Sequence, residues 1–265
     1  MSAYSKQSVI IVMFDFDGTL ADSVDLHFQT QRTVFRDLFN AGVSQEFWQQ
    51  NCLGQDHAGI LHTFQKHAGI GEQVKPPLFT ELCEQEFEKQ IDGLIAIPGM
   101  KDAAGRLAKH SNIHTGIASS STRRIVSAGQ RALNMDIDSV VGADDLHGRP
   151  PKPAPDPYLM LMEQILKRAD LQIEQVEQVI IFEDSANGLL SARLAANVLE
   201  KKAGLKASVE QIGYNSQGPV LTKAHPAADH FISDARELKN HVNGILDRAT
   251  PDAHHDHVSG WSFSH

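Results

Sequence analysis

Val9-Ile10-Ile11-Val12-Met13-Phe14-Asp15-Phe16-Asp17-Gly18-Thr19-Leu20 is the stretch on which the reading of the fold turns. Its first six residues form a short, continuous apolar run rich in β-branched side chains, and Gly18 follows closely. That pattern predicts a buried parallel strand over residues 9–15. Such a strand ends at the edge of an open α/β sheet, where ligands bind. Asp15 and Asp17 stand at i and i+2 on that edge. Adjacent carboxylates repel unless a cation or a difference in protonation separates them. One can then be an ionised nucleophile and the other a proton carrier. Alone, Asp-Phe-Asp-Gly reads first as a solvated turn; three segments downstream weigh against that.

The first of these is Ile113-His114-Thr115-Gly116-Ile117-Ala118, a second strand, running into Ser119-Ser120-Ser121-Thr122. Hydroxyls at a strand end, ahead of the helical pattern over residues 123–133, can hold phosphate oxygens together with backbone donors. Taken singly, Ser121 or Thr122 reads more simply as a helix N-cap. Next comes Pro150-Pro151-Lys152-Pro153-Ala154-Pro155-Asp156-Pro157. Prolines fix φ and discourage helix around them, so Lys152 is displayed from a stiff loop. Asp156 reads as an N-cap with Pro157 at the first helical position. The third segment is Val179-Ile180-Ile181-Phe182, another buried-strand run, ending in Glu183-Asp184-Ser185-Ala186-Asn187-Gly188. Acids at this strand end can meet those of the first and form an all-oxygen site suited to Mg²⁺.

In this order, Asp-x-Asp-Gly-Thr, strand plus Ser, Lys-Pro-x-Pro-Asp and Glu-Asp-Ser-x-x-Gly closely resemble the haloacid-dehalogenase (HAD) superfamily. The resemblance spans residues 9 to about 197. It is to the β-phosphoglucomutase-like and sugar-phosphate phosphatase members, which carry a helical cap near the N-terminus. It implies an α/β fold: a Rossmann-like core whose parallel β-sheet is flanked by helices, with the α-helical cap domain inserted. It implies Asp15 as the nucleophile that becomes an aspartyl-phosphate and Asp17 as the general acid and base. Ser119 would bind the transferring phosphoryl group, and Lys152 would neutralise it while holding Asp15. Glu183 and Asp184 would complete a Mg²⁺ shell with the Asp15 carboxylate and the Asp17 backbone carbonyl. Gly18, Thr19 and Ser120 are further phosphate-binding positions. An acid at position 17 argues against the dehalogenase and phosphonatase branches, which the resemblance says lack one there.

Composition sets bounds on this reading. At 265 residues the chain can bury a substantial core in one or two domains. A formal charge of −9, with no Lys/Arg-rich run to offset it, argues against nucleic acid as a partner. No apolar stretch nears the roughly 18 residues that span a bilayer, so no membrane partner is expected. The first residues lack the order of a secretory signal, and Cys52 and Cys83 are the two cysteines. A reducing cytoplasm is therefore the default. Monomer and homodimer are not distinguished.

Between the first two strands the pattern turns helical. Val24, Phe28, Phe35 and Leu38 form one stripe, and Ile60, Leu61 and Phe64 a shorter one. Phe79, Cys83, Phe87 and Ile91 recur at i+4, with Leu78 and Leu82 beside them. Pro98-Gly99 then punctuates the chain. The expected division is a discontinuous core, residues 1–21 and 98–249, and a cap over residues 22–97, with a disordered tail at 250–265. Further core strands are expected near 137–141 and 179–183. His27, twelve residues after Asp15, reads either as an exposed first-turn histidine or as a contact to Asp17 or substrate. Leu53-Gly54-Gln55-Asp56-His57-Ala58 resembles a cap specificity loop, which makes Gln55 and His57 candidate substrate contacts. A mutase-like pattern would carry an arginine where this chain has His57. Arginine grips phosphate in two places and histidine does not, which favours a phosphatase.

The last third departs from the family pattern. Leu199-Glu200-Lys201-Lys202 continues into a helical-looking stretch to about residue 212, leaving Gly218-Pro219-Val220-Leu221 as the compact strand candidate. Ala228-Asp229-His230-Phe231-Ile232 reads as a closing strand, with a final helix over residues 237–246. His254-His255-Asp256-His257 could bind a transition metal, though a polar disordered terminus is the simpler reading. The expectation is a Mg²⁺-dependent phosphatase of a small phosphorylated metabolite, sugar phosphates among the candidates. Two alternatives stay open: a β-phosphoglucomutase-type phosphomutase, and a non-catalytic phosphate- or Mg²⁺-binding protein on the same scaffold.

Overall fold

Alternation along the first strand organises the core. In the computed structural model, which describes residues 8–53, 55–71, 73–214 and 224–250, β1 (Val9–Phe14) is buried throughout. Ile10, Val12 and Phe14 pack into one apolar layer, and Val9, Ile11 and Met13 into the layer on the opposite face. A strand buried on both faces belongs in the middle of a parallel sheet. The remaining elements run in chain order as α1 (Val24–Phe39), α2 (Gln45–Asn51), α3 (His57–His67), α4 (Pro76–Gln90), α5 (Met100–Ala108), β2 (Ile113–Ala118), α6 (Arg123–Leu133), β3 (Ser139–Val141), α7 (Asp156–Arg168), β4 (Val176–Glu183), α8 (Ala186–Ala203), β5 (Lys206–Ile212), β6 (His230–Ile232) and α9 (Ala235–Ala249).

The strands lie in the order β3-β2-β1-β4-β5-β6, each pair parallel. Helices α5, α6 and α9 cover the face of Phe14, and α7 and α8 cover the face of Met13. From β1 the chain builds outward through β2 and β3, then crosses to β4 on the other side. The carboxyl ends of β1 and β4 therefore flank a topological switch point, where such sheets bind ligands. In register, Phe14 lies opposite both Ile117 and Phe182, so Asp15, Ser119 and Glu183 emerge at nearly one level. The expected α/β class with a parallel sheet is what the chain forms. Among the described residues, no helix is long and apolar enough to cross a membrane.

Helices α1 to α4 close a third apolar cluster of their own, centred on Phe35, Phe64, Phe79 and Cys83. Phe87 is buried as the i+4 stripe requires, but Leu78 is 46% exposed and lies off that face. The chain leaves and rejoins the sheet through two paired segments. Ile97 N–H donates to Leu20 O at 3.0 Å, and Asp22 N–H to Ile95 O at 2.9 Å.

The last third corrects one expectation. Residues 206–212, read from sequence as helical, are strand β5, paired with β4 from Gln178↔Lys206 to Glu183↔Gln211. Gly204 ends α8 in the left-handed region at φ 67°, where its N–H caps Glu200 O. A residue without Cβ is favoured there and breaks the helical run. The strand candidate at residues 218–221 and the His-rich segment at 254–257 lie outside the described residues. Helix α7 begins one residue earlier than expected, with Pro155 at its N-cap and Asp156 already helical.

Candidate active site

Asp15 follows β1 directly, its N–H donating to Phe182 O of β4 at 2.9 Å, which fixes the carboxylate between the two strand ends. The turn after it needs Gly18. Its φ is +84°, and a Cβ there would collide with the Asp184 carboxylate. Thr19 closes the same turn, its hydroxyl donating to Asp184 Oδ1 at 2.9 Å.

Lys152 reaches this edge from the proline-rich loop. Its Nζ donates to Asp15 Oδ1 at 2.7 Å, to Glu183 Oε1 at 2.5 Å and to Tyr158 OH at 3.2 Å. Tyr158, on α7 and fully buried, donates its own hydroxyl to Glu183 Oε1 at 2.6 Å. The ammonium also lies 4.8 Å from the Tyr158 ring centroid, a favourable cation–π position. Glu183 Oε2 in turn accepts from the Asp184 and Ser185 backbone N–H groups. Burial lowers the Lys152 pKa, but Asp15 and Glu183 more than offset that and hold the ammonium firmly charged. Burial pushes Asp15 well above the usual carboxylate range, Lys152 opposes that, and Glu183, Asp184 and Asp17 add to it.

Asp17 sits in a different cage. Ser23 Oγ donates to its Oδ1 at 2.6 Å, and Ser119 and Ser121 hydroxyls to its Oδ2 at 3.1 and 2.7 Å. His27 Nε2 lies 2.7 Å from Oδ1. Burial pushes this carboxyl up, yet His27, Ser23 and Ser121 together hold it far below its ordinary value. His27 is thus no exposed first-turn histidine; it is buried against Asp17 and the Phe87 ring. Neither serine nor threonine near α6 caps that helix with its side chain. Ser121 serves Asp17, and the Thr122 hydroxyl bonds Glu84 of α4.

Could these residues hold a metal? Asp15, Glu183 and Asp184 each offer an oxygen within 4.8 Å of the others. Three acids face one ammonium. Burial and then the neighbouring Glu183 push Asp184 up to about 8, with Lys152 and Thr19 opposing. Such crowding raises carboxyl pKa values, and these hard oxygen donors suit a hard divalent cation.

The sequence candidates converge unevenly. Asp15, Asp17, Lys152, Asp184, His27, Ser120, Gln55 and His57 line a single cleft of about 650 Å³, counting its open mouth. Gly18, Thr19, Ser119 and Glu183 are set back, shaping or bonding the side chains that line it. Sequence reasoning missed Tyr158, Ser23, Gln31 and Trp48. Gln31 Oε1 accepts from Trp48 Nε1 at 2.6 Å, and both residues line the cleft. Tyr158 carried a usable signal: a tyrosine on a helix face destined for the core needs a partner for its hydroxyl.

The family model described as haloacid dehalogenase-like hydrolase matches residues 12–198. The phosphorylated carbohydrates phosphatase of Thermotoga maritima is 26% identical over 251 residues, covering 89% of this chain and 99% of that protein. Protein CbbY of Rhodobacter capsulatus is 28% identical over 201 residues, covering 69% of this chain and 81% of that protein. CbbY from Rhodobacter sphaeroides, solved in complex with phosphate, superposes with a TM-score of 0.66 at 22% identity, over 86% of this chain and 95% of that one.

Proposed function

From a chain that belongs to the haloacid dehalogenase-like hydrolases, we propose a Mg²⁺-dependent phosphatase that hydrolyses a small phosphorylated metabolite, a sugar phosphate in the first instance. The observation that carries this reading is the pairing of Asp15 with Lys152 at 2.7 Å on a sheet edge shared with Glu183 and Asp184. The relatives named for phosphorylated carbohydrates support the substrate class.

Asp15 is the nucleophile. Its backbone N–H bond to Phe182 O fixes its place between the strand ends, and Lys152 opposes the protonation that burial favours. Phosphoryl transfer asks for a positioned nucleophile and positive charge around the phosphoryl oxygens, and Lys152 stands beside the point of attack. Ser120, on the cleft wall, is a donor for those oxygens, and the Ser119 hydroxyl behind it would join it on turning away from Asp17. Asp15 and Asp184, with the Asp17 carbonyl, would hold Mg²⁺, and Glu183, already accepting several hydrogen bonds, would add its charge to that shell. When bound, Mg²⁺ supplies the positive charge that lets a carboxylate approach an anionic phosphate.

Asp17 carries the proton for the leaving oxygen and later takes one from the attacking water, giving hydrolysis of the acyl phosphate on Asp15. As placed, its serine and histidine cage favours the anion, so the caged rotamer is the proton-accepting one. His27 is the group within 2.7 Å that can exchange a proton with it. Residues 22–97 act as the cap over this chemistry, on a core of residues 1–21 and 98–249. Their separate apolar cluster and the paired crossings at residues 20–22 and 95–97 support that division. A cap that closes excludes water and completes the site.

Steady-state hydrolysis of p-nitrophenyl phosphate with Mg²⁺ tests the reading. Asp15→Asn keeps the size of the side chain and removes the anion; turnover should fall by roughly 10³-fold or more. Unchanged turnover in that variant would overturn the proposal.

A further inference from the structure

The cap side of the cleft differs in kind from the sheet side. His57, at the start of α3, is 8% exposed and lines the cleft. Among the described residues its ring meets Phe79 edge-on, with centroids 6.2 Å apart, and makes no hydrogen bond. Its ring nitrogens are not among the enclosed side-chain atoms that lack a partner, so a group bound in the cleft can reach them. Gln31 lines the same cleft; its Oε1 is occupied by the Trp48 indole, so its amide N–H groups are what it has left to donate. Val24, Cys52 and Ile60 complete this wall. Burial lowers the His57 pKa to about 4, so at neutral pH the wall bears no charge from it.

Among the described residues lining the cleft, Lys152 is the one lysine or arginine. Its three ammonium protons already face Asp15, Glu183 and Tyr158. A second phosphate or a carboxylate on the substrate would therefore lie against His57, Gln31 and apolar groups, with Asp17, already paired to His27, and Asp184 nearby. An ion so placed loses hydration and gains no partner. A hydroxyl loses far less, and His57 and Gln31 both hydrogen-bond hydroxyls.

We infer that the substrate carries one phosphate and no second anionic group, and that its leaving portion is an uncharged hydroxyl compound bound by His57 and Gln31. This rests on the phosphatase reading and narrows it to monophosphate esters of neutral alcohols, sugars included.

Matched esters test it: glucose monophosphates against glucose bisphosphate, and glycerol phosphate against phosphoglycerate, with p-nitrophenyl phosphate as the control for chemistry. The wild-type protein should favour the neutral member of each pair by about tenfold or more in kcat/KM, the selectivity that one unpaired buried charge imposes. His57→Arg supplies the missing fork and should move that ratio toward the anionic member by about tenfold. If the control is hydrolysed and wild-type protein handles the bisphosphate or phosphoglycerate as well as its neutral partner, the inference fails and the phosphatase reading stands. A folded His57→Arg protein with an unchanged ratio removes His57 from the inference. Hydrolysis of none of the esters, control included, overturns both readings together.

Discussion

The two walls of the cleft are built from opposite materials. On the sheet side, four strand-end or loop side chains, Asp15, Lys152, Glu183 and Asp184, are packed with Tyr158 into a buried polar network in which most groups are spoken for. On the side built by α1 to α4, Gln31, Trp48 and His57 line the cleft beside His27, and His57 makes no hydrogen bond within the described residues. A closed polar network fixes geometry, because each member is expensive to move. A neutral wall with open hydrogen-bonding groups fixes very little until a ligand arrives. Under the proposed function, the chemistry belongs to the sheet wall and selection to the facing one.

The heaviest blow to that contrast is Lys152→Met, which leaves Asp15 and Glu183 buried without their cation. Loss of one charge-stabilising group typically costs roughly 10²–10³-fold in turnover, and the same is expected here with p-nitrophenyl phosphate. Thermal stability should fall as well, since breaking a buried ion pair costs about 3–5 kcal/mol. That stability loss should shrink in acid, where the stranded carboxyls take up protons.

Metal sharpens the contrast by a few degrees of Tm. Folding raises the Asp184 pKa to about 8 from its ordinary 3.8. Between those values the folded chain binds more protons than the unfolded one. Without metal, this group stabilises the fold fully below the lower value, and its contribution is lost as pH rises through the upper one. A cation that needs the ionised carboxylates reverses the trend. The Tm gain on adding Mg²⁺, read by scanning calorimetry, should be larger near about pH 8 than near about pH 5.5. An equal gain at both would separate Asp184 from the metal.

Tyr158→Phe probes the sheet wall more gently. It removes a donor to Glu183 and an acceptor for Lys152 while leaving the ring. A single buried hydrogen bond is worth about 1 kcal/mol, so kcat should fall by about fivefold. KM should stay nearly constant, because Tyr158 acts through Lys152 and does not line the cleft. The smallest effect belongs to the contact between the walls. Arg124 of α6 pairs with Glu84 and Glu88 of α4 at 3.4 and 2.6 Å, partly exposed to solvent. Surface pairs of this kind contribute about 0–1 kcal/mol, so Arg124→Ala should shift Tm by about a degree or two. A much larger shift would show that this contact, and not the apolar packing, holds the walls together.

Much of the sheet wall was legible in the chain itself. Apolar runs ending in acids or hydroxyls mark strand ends, and the order of four such segments places them on one edge. Less was legible where local pattern is weak. Residues 206–212 alternate poorly and follow lysines, and a left-handed cap at Gly204 with pairing to β4 made them strand. Ser121 and Thr122 looked like caps because sequence shows the helix beginning and hides the partners waiting across the fold.

What residue order determined by itself is the parallel core, the helical insertion and the set of groups brought to the edge. Those follow from short-range periodicity and turn chemistry, which any stretch carries within itself. What tertiary structure decided is partnership. Lys152 meets Asp15 across 137 residues, Ser121 meets Asp17 across 104, and His57 is left facing the cleft. Each depends on how the crossover from β1 to β4 and the packing of α1 to α4 close in space. Hydrogen bonding and burial are satisfied only in the assembled molecule, so which polar group is paired, and which is left open for a ligand, is a property of the fold.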